Sequence, residues 1–491
     1  MTDLFRRIPI GYFYLLPLII CISIAVSCKN HNIEDELLQF SYLNDDFEYL
    51  STKNLTVTFD TVFTSIGSVT RKFLVHNTSS QEITTDIFLA GGQHSFYSIN
   101  VNGVSGTSFK NIEIPKKDSI FIFVKVNIDP QNQNNPFLVT DSIVFITGSH
   151  KQDVKLLAYG QDAYYIIADQ GSDNLRYKIV AGERQRITWT KDRPYVVYGW
   201  AVIDSTGKLI IEPGTKIYFH HNSGLWVYRY GNLEVNGTSQ EPVLFRGDRL
   251  EKWFDEDYEQ WNRIWINEGA NANINNAIIT NAYIGVQVDP LPAGNNITIT
   301  PNIVKINNTI IKNTKSIGVL SRFLNLEMTN CVITNNEGCS LLLEGGQYTM
   351  KHLTIANYAK ADRKSPACYI SNKISDDLYK DVPPMDTKTD FYNCIIYGKN
   401  ETEVAASKAQ GADLETMFQN CLLKAKDNNS YFIDCLRNVD PKFTDKDQLD
   451  FTLLPESPAI GKGKPNIGVE TDILGKNRGD KPDIGAYQFG R

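Results

Sequence analysis

One short phrase recurs through the second half of the chain, and it limits the fold more than any other feature. The segments INNAIITNAYIGVQV, INNTIIKNTKSIGVL, MTNCVITNNEGCSLLLE, MKHLTIANYA, FYNCIIYG and FQNCLLKA align on Asn276, Asn308, Asn330, His352, Asn393 and Asn420. The steps between these positions are 32, 22, 22, 41 and 27 residues, so the unit is 22 residues, with extra residues in three of the gaps. A repeat of that length made only of short apolar runs and turn residues predicts a solenoid. Leucine-rich repeats have a similar period, but their LxxLxL lattice is missing here. The pattern instead predicts a parallel β-helix, whose coils stack about 4.8 Å apart and align equivalent residues in ladders.

The chemistry of each copy fits that register. Asn tolerates left-handed backbone angles in a tight turn, and stacked amides can hydrogen-bond from coil to coil. The next position reads Ala277, Thr309, Cys331, Leu353, Cys394 and Cys421, small or apolar residues suited to a narrow interior. Cys331, Cys394 and Cys421 are therefore expected to be buried in line as small hydrophobes rather than as reactive thiols. Strand-like runs such as KLIIEPGTKIYF and SGLWVYRYGNLEVNG place the solenoid at residues 208–436, after a linker and N-terminal cap at 166–207.

Residues 42–165 have a different grammar. LTVTFDTVF, RKFLVHN, IFIFVKVNI, SIVFIT and VKLLAYG alternate apolar with polar positions, and turn-formers such as AGG, PKKD and DPQNQNNP separate them. Short strands at this spacing predict an antiparallel β-sandwich. No catalytic group stands out within it.

The chain opens with MTDLFRRIPIGYFYLLPLIICISIAVSC, in which a cationic pair precedes an apolar run and small residues before Cys28. That order reads as an export signal over residues 1–27, followed by a polar tether at 28–41. An uncleaved membrane anchor is the other reading of the same run. Loss of residues 1–27 would remove two Arg and one Asp, taking the formal net charge from −7 to −8. An acidic chain without a basic cluster argues against nucleic acid as a partner. Six of the eight cysteines lie beyond Cys28. Their spacing has no paired CxxC of a zinc site, and whether Cys339, Cys368 and Cys435 form disulfides stays open.

Three sets of motifs carry a family resemblance. AVSC resembles the lipobox of bacterial lipoproteins, which implies that Cys28 is the lipid-attachment residue and that outer-membrane lipid is a partner through the acylated cysteine. The order of the 42–165 motifs resembles immunoglobulin-like domains of bacterial surface proteins. VDPKF, DFTLLPESPAIGKG, DILGKNRG and PDIGAYQFG resemble the choice-of-anchor-type tail of surface β-helix proteins, with Asp472, Gly475, Arg478, Asp483, Gly485 and Tyr487 at matching positions. Together they resemble right-handed parallel β-helix repeat lipoproteins of Bacteroidetes. The resemblance implies an all-β chain: an Ig-like β-sandwich, then a right-handed parallel β-helix, then a C-terminal cap at 437–491. It also implies an outer-membrane, lipid-anchored location on the periplasmic or cell-surface side. Sites of the form D-[ST]-aliphatic resemble O-glycosylation sites of that phylum, at Thr61, Ser119 and Ser142.

Such solenoids host polysaccharide lyases and glycoside hydrolases, but the GHG signature of the polygalacturonase type is missing, and no base facing a neutralised carboxylate is readable. His220, His221 and His352 read as structural. The outstanding insertion is RGDRLEKWFDEDYEQWNRIW, Arg246 to Trp265. Its Trp253, Phe254 and Tyr258, with Asp255 and Asp257, form a candidate glycan contact, because aromatic planes stack on sugar rings and carboxylates bond hydroxyls or bind calcium. The competing expectation places Trp261 and Trp265 in the next coil and the acids on a solvated rim. A second long insertion, ADRKSPACYISNKISDDLYKDVPPMDTKTD, could wall a groove or meet a partner. No cofactor is implied beyond a weak case for calcium. The sequence thus favours a non-catalytic envelope lipoprotein that binds a polysaccharide or an envelope protein. A carbohydrate-active enzyme and a structural subunit of an outer-membrane complex are the alternatives.

Overall fold

The structure, a computed structural model, describes residues 38–43, 49–52, 55–172, 175–291, 300, 302–359, 363–376, 379, 381–426 and 430–490. Residues 1–27 and Cys28 lie outside the described residues. The chain is all-β and divides into two compact units, one of Met1–Asp129 with Phe137–Gly160 and one of Pro130–Pro136 with Gln161–Arg491.

The first unit holds two antiparallel sheets, of six and five strands. Alternation drives their pairing. In Ser119–Val126 every second residue, from Ile120 to Val126, is buried, and the intervening Phe121, Phe123 and Lys125 face outward. Inward residues of both sheets, among them Phe40, Phe73, Ile122, Ile87, Phe145 and Leu156, fuse into one apolar core. The unit starts earlier than expected. Leu38–Leu43 is a strand paired with Arg71–Asn77, and Leu38 and Phe40 are fully buried, so the tether cannot extend to residue 41.

The second unit is built from three long sheets of eleven, ten and ten strands, here faces I, II and III. Successive strands visit the faces in turn, and each strand pairs in parallel with its equivalent in the next coil, as Ala277–Thr280, Ile310–Thr314 and Val332–Asn336 do on face I. The exception is the hairpin Gln170–Ser172 with Leu175–Ala181, which pairs antiparallel at the start of face II. The coils begin before residue 208. Strands Tyr164–Ile167, Leu175–Ala181 and Arg186–Trp189 already pair into faces I, II and III, so the segment expected as a linker and cap belongs to the solenoid.

All six aligned positions turn left-handed. Asn276, Asn308, Asn330, His352, Asn393 and Asn420 have φ between 49° and 56°. A non-glycine residue there costs roughly 1–2 kcal/mol, least for Asn, which explains why the phrase is rewritten with that residue. Cys331, Cys394 and Cys421 point into the interior with no exposure, within one continuous core that runs from Ala181 to Leu423. Asp434, with φ of 50°, and Cys435 extend the ladder by one step. Cys331, Cys339, Cys368, Cys394, Cys421 and Cys435 are all free thiols.

The C-terminal segment does more than follow the last coil. Its hairpin Phe443–Asp445 with Asp450–Leu453 is succeeded by a chain that turns back along face I. Phe451, Ile473 and Ala486 cover Val332 and Ala356, and Leu453, Ala459 and Ile484 cover Ile395 and Leu422. Face I is therefore apolar on both sides, and the tail shields its flank rather than only its terminal edge.

Candidate functional site

Face II carries the most distinctive outward row. Alternation sends Leu225 and Val227, Ile264 and Ile266, and Val286 and Val288 inward, which leaves Trp226, Trp265 and Gln287 outward and in register. The Trp226 and Trp265 rings stack at 4.9 Å with 14° between planes. Trp200 leans across both at 6.1 and 6.0 Å. Its strand partner is Gly224, where a Cβ would fall 2.6 Å from the Trp200 ring, so only glycine permits this approach. Tyr177, Tyr228 and Leu291 complete the cluster, and Tyr177, Tyr228 and Trp265 stay half-buried with surface open to solvent.

Beneath these rings lies a polar network. Trp226 Nε1 donates to Asn267 Oδ1 at 2.5 Å, and Trp265 Nε1 donates to Asp289 Oδ1 at 2.6 Å. Gln287 Nε2 donates to the other Asp289 oxygen at 2.6 Å, and Arg263 donates to Gln287 Oε1. Burial pushes the Asp289 carboxyl up, against the lowering effect of those donors and of Arg322 and Arg263. Arg322 joins three acids: its Nε donates to Glu344 at 2.9 Å, and its Nη1 lies 3.1 Å from Asp376 and 3.7 Å from Asp289. The second long insertion closes over this point. Ser375 donates its amide and hydroxyl to Glu344 at 3.0 and 2.7 Å, and Tyr379 donates to Pro290 O at 3.1 Å. Arg363 of the same insertion reaches both oxygens of buried Glu403 at 2.7 Å.

The residues singled out for glycan contact behave differently. The segment from Arg246 to Trp265 lies along the corner that follows face I and is held by a second Asn ladder. Asn281 Nδ2 donates to the carbonyls of Asp255 and Asp257 at 3.0 and 2.7 Å, and Asn313 Nδ2 donates to Asp255 O at 3.1 Å. Tyr258 donates its hydroxyl to Asn335 Oδ1 at 3.2 Å, and burial raises its pKa. The Arg249 guanidinium sits 4.2 Å over the Phe254 ring. Trp253 is 45% exposed, and the Asp255 and Asp257 side chains face solvent, with Asp255 3.2 Å from Arg246. The Trp253 and Phe254 rings meet at 6.1 Å with 49° between planes, while Tyr258 bonds to the second Asn ladder. Trp261 is buried and stacks on Phe219 at 4.4 Å, whereas Trp265 belongs to the outward row of face II.

His220 and His352 have structural partners. His220 Nδ1 is 2.8 Å from Asp248, which raises its pKa, and its ring stacks on Tyr198 at 4.6 Å. His221 is exposed. His352 is fully buried between Asn393 and Gly485, and burial followed by the nearby Arg478 charge lowers its pKa well below the usual value. Thr61, Ser119 and Ser142 are half-buried in strands of the first unit, and the Ser119 hydroxyl is 2.5 Å from His76 Nδ1. Among the described residues, no group of three or more His, Cys, Asp or Glu could hold a metal ion, and no helix is long and apolar enough to cross a membrane.

The tryptophan row escaped the sequence reading, although its signal is visible. GWAVI, GLWVY and RIWIN each place Trp in a strand that otherwise alternates aliphatics. The second Asn ladder was equally legible, five residues after the first in ITNAY, IKNTK and ITNNE.

No protein-family model matches the chain, and no curated protein matches it. Among solved structures, the N-terminal domain of PorA aligns at 14% identity over 25% of this chain and 96% of that one, with a TM-score of 0.19. The CooA pilin subunit from enterotoxigenic Escherichia coli aligns at 12% identity over 25% of this chain and 98% of its own, with a TM-score of 0.17. A family 123 glycoside hydrolase from Clostridium perfringens aligns at 10% identity over 22% of this chain and 25% of that one, with a TM-score of 0.16.

Proposed function

We propose that this chain is a lipid-anchored protein of the bacterial cell envelope that binds a glycan on the outer surface of face II. In this reading Cys28 carries the lipid, the first unit is an Ig-like spacer, and the solenoid winds right-handed, the hand that parallel crossovers adopt almost always. The observation that carries the reading is the in-register row of Trp226 and Trp265, continued by Gln287, with Tyr177 and Tyr228 beside it. The half-buried Tyr177, Tyr228 and Trp265 offer ring surface for stacking, and Arg263 beside them offers a donor to hydroxyls.

Binding is favoured over catalysis because the neighbouring acids are engaged. Asp289 and Glu344 are fully buried and accept from Trp265, Gln287, Arg322 and Ser375, so neither presents a free oxygen to a reacting bond. The test is a glycan array on the full chain, followed by titration of the best ligand against Trp265→Ala and Tyr228→Ala. Each variant should weaken binding about tenfold, from the loss of one stacking contact. Unchanged affinity in both, with the fold intact, would remove face II as the binding surface. Membrane attachment that persists in Cys28→Ala would remove the lipid anchor.

A further inference from the structure

A cleft of about 540 Å³ opens between the tail and the ends of the face I strands. Its lining reverses the charge of the molecule, which is −7 overall. Lys399 and Lys424 come from the coils, Lys442 and Lys446 come from the tail, and only three aspartates, Asp440, Asp445 and Asp447, oppose them. Two of those acids are committed to their own turns. Asp440 accepts from the Lys442 amide at 2.9 Å and lies 3.6 Å from its ammonium, and Asp445 accepts from the amides of Asp447 and Gln448 at 3.0 and 3.1 Å.

The lysines also decide the mode of recognition. Lys424 Nζ lies 5.1 Å over the Tyr397 ring, and Lys446 Nζ lies 5.5 Å over the Tyr358 ring. A ring face covered by an ammonium is not open to a stacked sugar, so charge rather than stacking is what the cleft offers. Lys424 gives one hydrogen to Gly398 O at 2.7 Å, and an ammonium has three to give.

We propose that this cleft binds a multiply charged anion of about disaccharide size, a sulfated or phosphorylated sugar, through Lys424 and Lys446. That the ligand is a sugar rests on the glycan-binding reading, whereas the preference for an anion does not. Calorimetric titration of the full chain with a trisulfated disaccharide, its unsulfated parent and pyrophosphate tests it. The sulfated disaccharide should bind at least about tenfold more tightly than the parent, lose affinity with added salt, and lose about tenfold more in a Lys424→Gln, Lys446→Gln double variant. Neither lysine is buried, so that variant should fold. Pyrophosphate binding that disappears in the same variant supports the site and assigns it to phosphate chemistry. Equal affinity for the unsulfated parent, an unchanged affinity in the double variant, or no binding of either anion overturns the proposal. Tyr228→Ala on face II should leave anion binding intact, so failure of the cleft and failure of the face II site are separable.

Discussion

Arg478 donates from Nη2 to the side-chain oxygen of Asn330 at 2.8 Å, across 148 residues of chain. The same guanidinium donates to the carbonyls of Gly485 and Ala486 at 3.0 and 3.1 Å, and Asn330 Nδ2 donates to Asn308 at 3.1 Å and to Thr471 O at 2.8 Å. The contact belongs to a series. Asn420 donates to Lys462 O, Asn393 exchanges hydrogen bonds with the Lys464 backbone, and His352 meets Gly485 O, so the tail follows the ladder coil by coil. Asn at these turns relieves backbone strain and also supplies the rail on which the tail docks.

Replacing Arg478 with Met should undo that docking. Burial already pushes the guanidinium down to about 10, and its removal would leave Asn330 Oδ1 without its donor and take one donor each from the Gly485 and Ala486 carbonyls. A loss of about 3 kcal/mol in chemical denaturation is expected, with proteolytic cuts appearing first beyond residue 437. A tail as protease-resistant as in the natural chain would contradict the rail.

His352 makes the dock sensitive to acid. Its ring accepts at Nε2 from Asn393 at 3.0 Å and donates from Nδ1 to Gly485 O at 3.3 Å, so the buried ring is neutral. Because its folded pKa is depressed, the unfolded chain binds the extra proton. This group's stabilising effect is complete above the unfolded value of about 6.5 and is lost as pH falls below it. The slope should approach about 1.4 kcal/mol per pH unit below pH 6. His352→Asn, which restores the residue of the other coils, should flatten that slope; a pH profile identical to the natural chain would exclude His352 as its source.

The thiols should divide by position. Burial pushes Cys331 and Cys339 up to about 12 and raises Cys368 and Cys421 well above the usual range. Cys435 is only partly buried at the last coil. Mass spectrometry after brief alkylation of the native protein should find Cys435 modified first and Cys331, Cys394 and Cys421 unmodified until denaturant is added. Rapid labelling of Cys331 would contradict an interior ladder.

Two tryptophans of one insertion should respond oppositely. Trp261→Ala removes a buried indole that stacks on Phe219 and donates from Nε1 to Thr280 O at 2.7 Å, and should cost about 3–5 kcal/mol. Trp253→Ala removes an exposed ring and should stay within about 0.5 kcal/mol in urea denaturation. Comparable losses would show that the loop packs as a unit.

The ladder, its left-handed turns, the inward cysteines and the two-unit grammar were readable from residue type and spacing. The boundaries were less so. Leu38 and Phe40 sit in a stretch whose polar neighbours suggest a tether, and the coils before residue 208 carry no copy of the Asn phrase. How the candidate glycan-contact residues are held was hidden for a related reason. Trp253, Phe254 and Tyr258 are close in sequence, but Asn281 and Asn313 hold the carbonyls of Asp255 and Asp257, and Asn335 holds the Tyr258 hydroxyl, so Phe254 and Tyr258 are half-buried while Trp253 is exposed.

What the sequence determined by itself is whatever a few neighbouring residues decide: the sign of φ at Asn330, the inward direction of Cys331, and the alternation that makes each strand. Tertiary structure alone decided that Trp226 and Trp265 meet on one face, that Arg322 gathers Asp289, Glu344 and Asp376, and that the tail turns back to place Arg478 on Asn330. Those outcomes depend on which stacked surfaces come together across tens to hundreds of residues. Packing and desolvation select them, and no local preference encodes either.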